Sequence, residues 1–129
     1  MRFASLAGLV TVAAAVVPPA PALAGPLDGR RFEGVFIERG KTSGDADTIS
    51  FKDGRFHSSA CDRYGYAEAP YKAASQGDAM SFQAETESAQ YGKLRWSGVV
   101  RAGKLDATVM MIRDGKTPVE NWVVAAEGH

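Results

Sequence analysis

The chain has little that could crosslink a small domain and none of the charge excess that polyanion-binding proteins carry. Its 129 residues include one cysteine, Cys61, so a framework of intrachain disulfides is excluded. Fifteen basic side chains balance fifteen acidic ones. No basic stripe suited to nucleic acid or to anionic lipid is present. We therefore expect no nucleic-acid partner, and a fold stabilised by packing and strand hydrogen bonds.

A hydrophobic run long enough to cross a bilayer is also missing. The uncharged stretch after Arg2, residues 3–17, has 15 residues, whereas a membrane-spanning helix needs about 20. Prolines then break the stretch, and Ala22-Leu23-Ala24 has the A-x-A form of a signal peptidase site. The pattern predicts a signal peptide over residues 1–24 and one domain over residues 25–129, periplasmic or secreted. An uncleaved anchor is the alternative, and Pro26 stands where a lipid anchor would need cysteine.

Helical periodicity is absent from the rest of the chain. Short alternating runs are separated by turn residues instead, a pattern typical of all-β domains. Dipeptides such as Asp53-Gly54 and Asp114-Gly115 mark turns, because both positions tolerate positive φ. The strand segments are RRFEGVFIE, DTISFK, RFHSSA, APYKAAS, DAMSFQAETE, KLRWSGVVR, KLDATVMMIR and TPVENWVVAA. Tight sequential turns favour an eight-stranded antiparallel up-and-down barrel, since closure removes exposed edges.

Three hairpins agree on one buried face when their turns are given two residues each. These turns are placed at Asp53-Gly54, Gln76-Gly77 and Ala102-Gly103. The buried pairs would be Phe51/Phe56, Tyr71/Phe82, Trp96/Val109 and Gly98/Ala107. A slip of one residue would reverse each face, so the agreement predicts one apolar side and one wet side of the sheet.

The opening LDGRRFEG resembles the first strand of lipocalin-like (calycin) barrels, where a glycine leads into an aromatic residue at the closed end. Here Phe32 takes the aromatic position. The resemblance implies an exported barrel that holds a small ligand or contacts a partner. The chain is shorter than a typical lipocalin, and a second family motif is not evident.

The last strand carries a carboxylate in an apolar pattern. A turn of two or four residues at Asp114-Gly115 would direct Glu120, Trp122 and Val124 into the interior. An unpartnered carboxylate there costs several kcal/mol. Glu120 would then lie at a rim in contact with water, or would be the polar anchor of a binding cavity. A three-residue turn, which would direct this face outward, is the third alternative.

The predicted ligand-binding residues are Trp96, Trp122, Glu120, Tyr71 and Phe82. Their rings either fill the barrel or leave a slot beside the small side chains that face Trp96. Such a slot would accept a slim apolar molecule with at most one donor or cationic group, because further polar groups would go unpaired.

The single cysteine lies four residues after His57. If the strand continued, the two side chains would be about 13 Å apart on the outer face, too far for a thiol and its base. A metal site would need the strand to break. Two interpretations remain for Cys61: a partly covered side chain at a rim, or a thiol that links two molecules in an oxidising compartment.

The connection that follows carries Arg63, Tyr64 and Tyr66 around a glycine. Tyrosine combines an apolar ring with a polar tip and is common at contact surfaces. The rings either plug one end of the barrel or form an interaction loop.

No Ser/His/Asp set, glycine-rich phosphate loop or paired-carboxylate motif stands out in the sequence. We therefore predict a non-catalytic, monomeric binding protein without cofactor, metal or membrane anchor. It would carry or sense a small apolar ligand. The alternative is an envelope interaction module, of the inhibitor or assembly-factor type, that presents residues 63–66 to another protein.

Overall fold

The computed structural model describes residues 25–128 as a closed antiparallel β-barrel. The predicted signal peptide, residues 1–24, lies outside the described residues. A single 3₁₀ helix, Ser59–Tyr64, interrupts the described strands. The strands are β1 (Arg31–Ile37), β2 (Asp45–Lys52), β3 (Arg55–Ser58), β4 (Ala69–Gln76), β5 (Ala79–Ser88), β6 (Gly92–Arg101), β7 (Lys104–Ile112) and β8 (Val119–Glu127).

Each strand pairs with the next one along the chain, and β1 pairs with β8 to close the barrel. The predicted eight-stranded up-and-down barrel is confirmed. Among residues 25–128, no helix has the length and apolar character that a membrane span requires.

The hairpin turns explain why the predicted faces are correct. Asp53 and Gly54 have φ of 53° and 75°, and Ala102 and Gly103 have φ of 50° and 76°. Positive φ at both positions matches the right-handed twist of the flanking strands. Phe51 therefore pairs with Phe56, and β6 and β7 have the predicted register. The β4–β5 turn lies one residue later than predicted, so Tyr71 pairs with Ala84, and every side chain keeps its face.

The predicted inward orientation of Glu120 and Trp122 is wrong. Met111 pairs with Val119, which leaves an odd number of residues, 112–118, between the two paired positions. An odd connection reverses the face of a strand relative to a two- or four-residue turn. Asn121, Val123 and Ala125 consequently lie inside, and Glu120, Trp122 and Val124 lie outside. The three-residue alternative had the right parity, although the observed connection is longer.

The N-terminal turn, residues 25–30, seals one end of the barrel. Leu27 is fully buried there, and its amide donates to the Tyr71 hydroxyl over 2.9 Å. That hydroxyl donates in turn to Asp28 over 2.7 Å. Burial, followed by the hydrogen bond to Asp28, raises the pKa of Tyr71 to about 12. Because the chain itself fills this end, access to the interior is confined to the opposite end, where the connections are longer.

Candidate functional site

A cavity of about 320 Å³ opens at the end of the barrel opposite the N-terminal turn. Four connections meet there: β1–β2, the 3₁₀ segment between β3 and β4, β5–β6 and β7–β8. We call it the mouth cavity. Its large apolar and aromatic lining side chains are Phe36, Leu94, Met111, Tyr64, Tyr66 and Tyr91. The volume lies at the low end of the range of roughly 300–1,000 Å³ that is typical of small-molecule sites.

A row of stacked side chains borders the mouth cavity, and three of its four members, Tyr64, Tyr91 and Arg113, line the cavity itself. The rings of Tyr64 and Tyr91 meet edge to face, with centroids 5.5 Å apart. The guanidinium of Arg113 lies 5.5 Å from the centre of the Tyr91 ring, and that of Arg63 lies 5.8 Å from the Tyr64 ring. Contacts of these two types are each worth about 0.5–1.5 kcal/mol. Together they join the 3₁₀ segment, the β5–β6 turn and the β7–β8 connection into one wall.

Asn121 lies in the wall of the mouth cavity with only 2 % of its surface exposed. Its Oδ1 accepts a hydrogen bond from the Arg39 amide over 3.0 Å, which fixes the orientation of the side-chain amide. Its Nδ2 is buried and has no hydrogen-bond partner within residues 25–128. Most buried polar groups are paired, so this nitrogen is an exception, and it could donate a hydrogen bond to an acceptor on a bound molecule.

Arg113 contributes a second such donor. Its Nε is buried and has no hydrogen-bond partner in the described part of the chain. The guanidinium packs over Tyr91, and none of the ion pairs formed by residues 25–128 includes it. The mouth cavity therefore has two positive side chains, Arg39 and Arg113, that form no ion pair among the described residues, and of these only Arg113 is half-buried.

The 3₁₀ segment is held in place by a buried carboxylate, which the sequence reasoning missed. Asp47 points inward from β2 and accepts hydrogen bonds from the Ser58 hydroxyl at 2.9 Å and the Ala60 amide at 3.0 Å. Burial raises the pKa of Asp47, although these hydrogen bonds act in the opposite direction. The Asp47 side chain thus satisfies an amide at the start of the 3₁₀ helix and bends the chain away from the path of β3.

This bend places Cys61 inside the barrel, so its predicted position on the outer face is wrong. The thiol is buried and its Sγ lies 3.4 Å from Ser58 Oγ. Burial raises the pKa of Cys61 to about 11. The protonated, buried thiol is a poor nucleophile, and its burial opposes a disulfide between two molecules.

His57 faces outward, as predicted, opposite Ser50. Its Nε2 lies 2.6 Å from Asp62 Oδ1, so the imidazole pairs with a carboxylate and not with the thiol. In residues 25–128, no cluster of three or more His, Cys, Asp or Glu side chains is arranged to hold a metal ion.

The predicted ligand-binding residues do not form one site. Trp96, Phe82 and Tyr71 do lie inside, but they are packed against other rings. Phe82 stands over Gly98, where an added Cβ would be only 2.5 Å from its ring. Of the two predicted alternatives, a filled interior and an open slot beside Trp96, the structure therefore has the filled one. Trp122 lies instead in a groove of about 420 Å³ on the outer face, formed with β6 and β7.

The predicted interaction loop is divided between surface and interior. Tyr64 is 40 % exposed at the rim, and Arg63 is exposed beside it. Tyr66 is only 6 % exposed and belongs to the core, so it plugs the barrel. Val119, also 40 % exposed, lies on the same rim as Tyr64.

Sequence reasoning also missed Asn121 and Arg113. Asn121 could have been found from the sequence, because it shares the face of the apolar residues Val123 and Ala125. Placing that face of β8 inside the barrel would have made Asn121 a buried polar residue. For Arg113, the first residue after β7, the sequence carries no corresponding signal, because an arginine beside a turn is ordinarily solvated.

Comparison with known proteins adds no assignment to this geometry. Neither protein-family models, nor curated proteins, nor solved structures match the chain. The mouth cavity itself is thus the observation from which a function is inferred.

Proposed function

We propose that this protein binds a small, largely apolar ligand in the mouth cavity and acts without catalysis. The observation that carries the proposal is the cavity of about 320 Å³ at the open end of a barrel whose other end is sealed. The apolar lining, with Phe36, Leu94 and Met111 toward the interior, would cover the body of such a ligand.

The wall is arranged before any ligand enters. The rings of Tyr64 and Tyr91 and the two guanidinium groups stack in sequence, and Asp47 fixes the start of the 3₁₀ segment. A preorganised wall lowers the entropy cost of binding. A non-catalytic role is supported by Cys61, whose thiol stays protonated, and by His57, which is engaged by Asp62.

Membership of the lipocalin-like family is part of this proposal. The closed eight-stranded barrel is compatible with that family, and the LDGRRFEG opening supports it. Export is proposed from the apolar stretch and from Ala22-Leu23-Ala24. The intact mass of the exported protein should correspond to a chain that starts at Gly25, and a mass that includes Met1 would contradict export with cleavage.

Three naphthalene probes of similar size test the function: 2-naphthoate, 2-acetylnaphthalene and 2-naphthylmethylamine. At least one should bind with one-to-one stoichiometry in calorimetry. Ala60→Phe should abolish that binding, because Ala60 lines the mouth cavity and the added ring would occupy it. Ala74→Phe is the matched control, since Ala74 is exposed on the outer face of β4.

Failure of all three probes to bind would contradict the proposal, as would binding that Ala60→Phe leaves unchanged. Circular dichroism and the urea midpoint of each variant establish that the barrel is intact when binding is measured.

A second candidate function, docking of an envelope protein at the rim, is favoured by one observation. Tyr64 and Val119 are both 40 % exposed and border the same opening. A partner seated there would cover the mouth cavity and compete with the probes. Tyr64→Ser should then weaken the partner more than the probes, whereas a partner that binds together with a probe would exclude this docking site.

A further inference from the structure

The polar groups of the mouth cavity favour one class of ligand over others. Asn121 Nδ2 and Arg113 Nε are both donors, both are buried, and neither has a hydrogen-bond partner among the described residues. A buried donor without a partner is costly, and an acceptor on a bound molecule would remove that cost. The amide of Asn121 cannot simply turn around to accept, because its Oδ1 is engaged by the Arg39 amide over 3.0 Å.

The charges around the mouth cavity indicate that the preferred acceptor on the ligand is negatively charged. Its lining contains two acidic residues, Glu38 and Asp45, and two basic ones, Arg39 and Arg113. Glu38 pairs with Lys41 over 3.6 Å, and Glu38 and Asp45 are both exposed to water. Arg113 is half-buried and packs on an aromatic ring instead of a carboxylate. Since charges interact more strongly away from water, the half-buried guanidinium of Arg113 should act more strongly on a bound charge than the exposed side chains of the lining do.

Asp47 is a nearby buried carboxylate, and it is not among the residues that line the mouth cavity. Its oxygens accept hydrogen bonds from Ser58 and from the Ala60 amide. It therefore has its own partners and is not part of the cavity wall.

We propose that the ligand of the mouth cavity is an amphipathic carboxylate. Its apolar part lies against Phe36, Leu94 and Met111, and its carboxylate accepts hydrogen bonds from Asn121 and Arg113. This inference rests on the proposed function of the cavity. The sequence predicted a ligand with a donor or cationic group, because Glu120 was expected inside. The odd β7–β8 connection places Asn121 on the inner face of β8 instead of Glu120, so the expected ligand group becomes an acceptor.

The three naphthalene probes distinguish a preference for carboxylates from the binding of any small, largely apolar ligand. A hydrogen bond to a charged group changes affinity by about tenfold to a hundredfold. We expect 2-naphthoate to bind at least about tenfold more tightly than 2-acetylnaphthalene. The amine, 2-naphthylmethylamine, should bind most weakly, since it brings a cation to Arg113 and offers no acceptor.

Variants then assign the preference to the two side chains. Arg113→Gln should weaken 2-naphthoate by about tenfold or more and leave 2-acetylnaphthalene within about threefold. Arg113→Lys should retain part of the preference, because it keeps the charge. Asn121→Leu should also weaken 2-naphthoate selectively. Arg101→Gln is the matched control, since Arg101 is exposed at the other end of the barrel, beside Asp78.

Each outcome decides between the two proposals. Equal binding of all three probes, abolished by Ala60→Phe, would overturn the carboxylate preference and leave the ligand-binding function standing. Preference for 2-naphthoate that survives in both Arg113→Gln and Asn121→Leu would also overturn the assignment. No binding of any probe would overturn both. Urea midpoints of the Arg113 and Asn121 variants show whether each is folded when it is titrated, and Arg113→Lys provides the second test if Arg113→Gln does not fold.

Discussion

Gly98 is the position at which the packing of the barrel interior can be tested most sharply. It lies on β6, and a Cβ built there would be 2.5 Å from Phe82 Cε1, 2.6 Å from Phe82 Cζ and 2.9 Å from Ala107 Cβ. Ordinary carbon contacts are about 3.5–4.0 Å, so Gly98→Ala forces the ring of Phe82 to move by roughly 1 Å. The ring has little room, because Phe51 lies 5.2 Å and Phe56 6.0 Å from it, centroid to centroid.

The expected cost is the difference between two effects. Overpacking a core costs about 1–3 kcal/mol. Replacing a glycine in the middle of a strand returns about 0.5–1 kcal/mol, because alanine has less conformational freedom to lose on folding. Because the new contacts would be shorter than 3.0 Å, the overpacking cost should lie in the upper half of its range, about 2–3 kcal/mol, and the free energy of unfolding of Gly98→Ala should fall by about 1–2.5 kcal/mol. In the background Phe82→Leu, the smaller side chain leaves space for the new methyl group, and the same change should cost at least about 1 kcal/mol less.

Urea denaturation followed by tryptophan fluorescence measures these differences. Ser97→Ala is the control, because Ser97 is the outward-facing neighbour of Gly98 and should change stability by less than about 0.5 kcal/mol. The reasoning is refuted if Gly98→Ala is as stable as the wild type, or if its cost is the same in the Phe82→Leu background.

Three further predictions concern buried titratable groups. Tyr71→Phe leaves the Leu27 amide without its acceptor and should cost about 1–3 kcal/mol in urea denaturation; a neutral change would mean that the closed end is not held by this hydroxyl. Because the pKa of Tyr71 is raised to about 12, its contribution to stability is present below the ordinary value of 10.0 and is lost as pH rises toward 12. Burial likewise raises the pKa of Asp47 above 3.8, so the folded state holds this proton more tightly than the unfolded state. Its contribution is lost as pH rises through the folded-state pKa, so Asp47→Asn should gain stability relative to the wild type as pH rises above 3.8; a stability difference that does not change with pH would count against a raised pKa of Asp47. The thiol of Cys61, with a pKa raised from 9.0 to about 11, should react with iodoacetamide at least about a hundredfold more slowly in the folded protein than in urea, and equal rates would show that it is accessible.

The fold was largely predictable because its turns are local. The Asp53-Gly54 and Ala102-Gly103 turns contain the residues that a two-residue hairpin needs, and the apolar alternation on either side then determines the register. Those two hairpins and the closure of eight strands could be predicted from the sequence.

The site was not predictable, because two non-local features build it. The connection between β7 and β8 pairs Met111 with Val119, and nothing in its turn residues decides between an odd and an even length. That parity alone moves Asn121 inside and Trp122 outside. The 3₁₀ helix depends on Asp47, a residue more than ten positions earlier on another strand. Local patterning around Cys61 therefore predicted a continuing strand.

The most direct test of the central claim is the site of binding, observed by two-dimensional ¹⁵N–¹H NMR during titration with 2-naphthoate. We predict shifts of the Asn121 side-chain amide and of the backbone amides of Leu94 and Met111, with the closed end near Leu27 unchanged. Shifts confined to the outer groove around Trp122, or no shifts at ligand saturation, would contradict a ligand site in the mouth cavity.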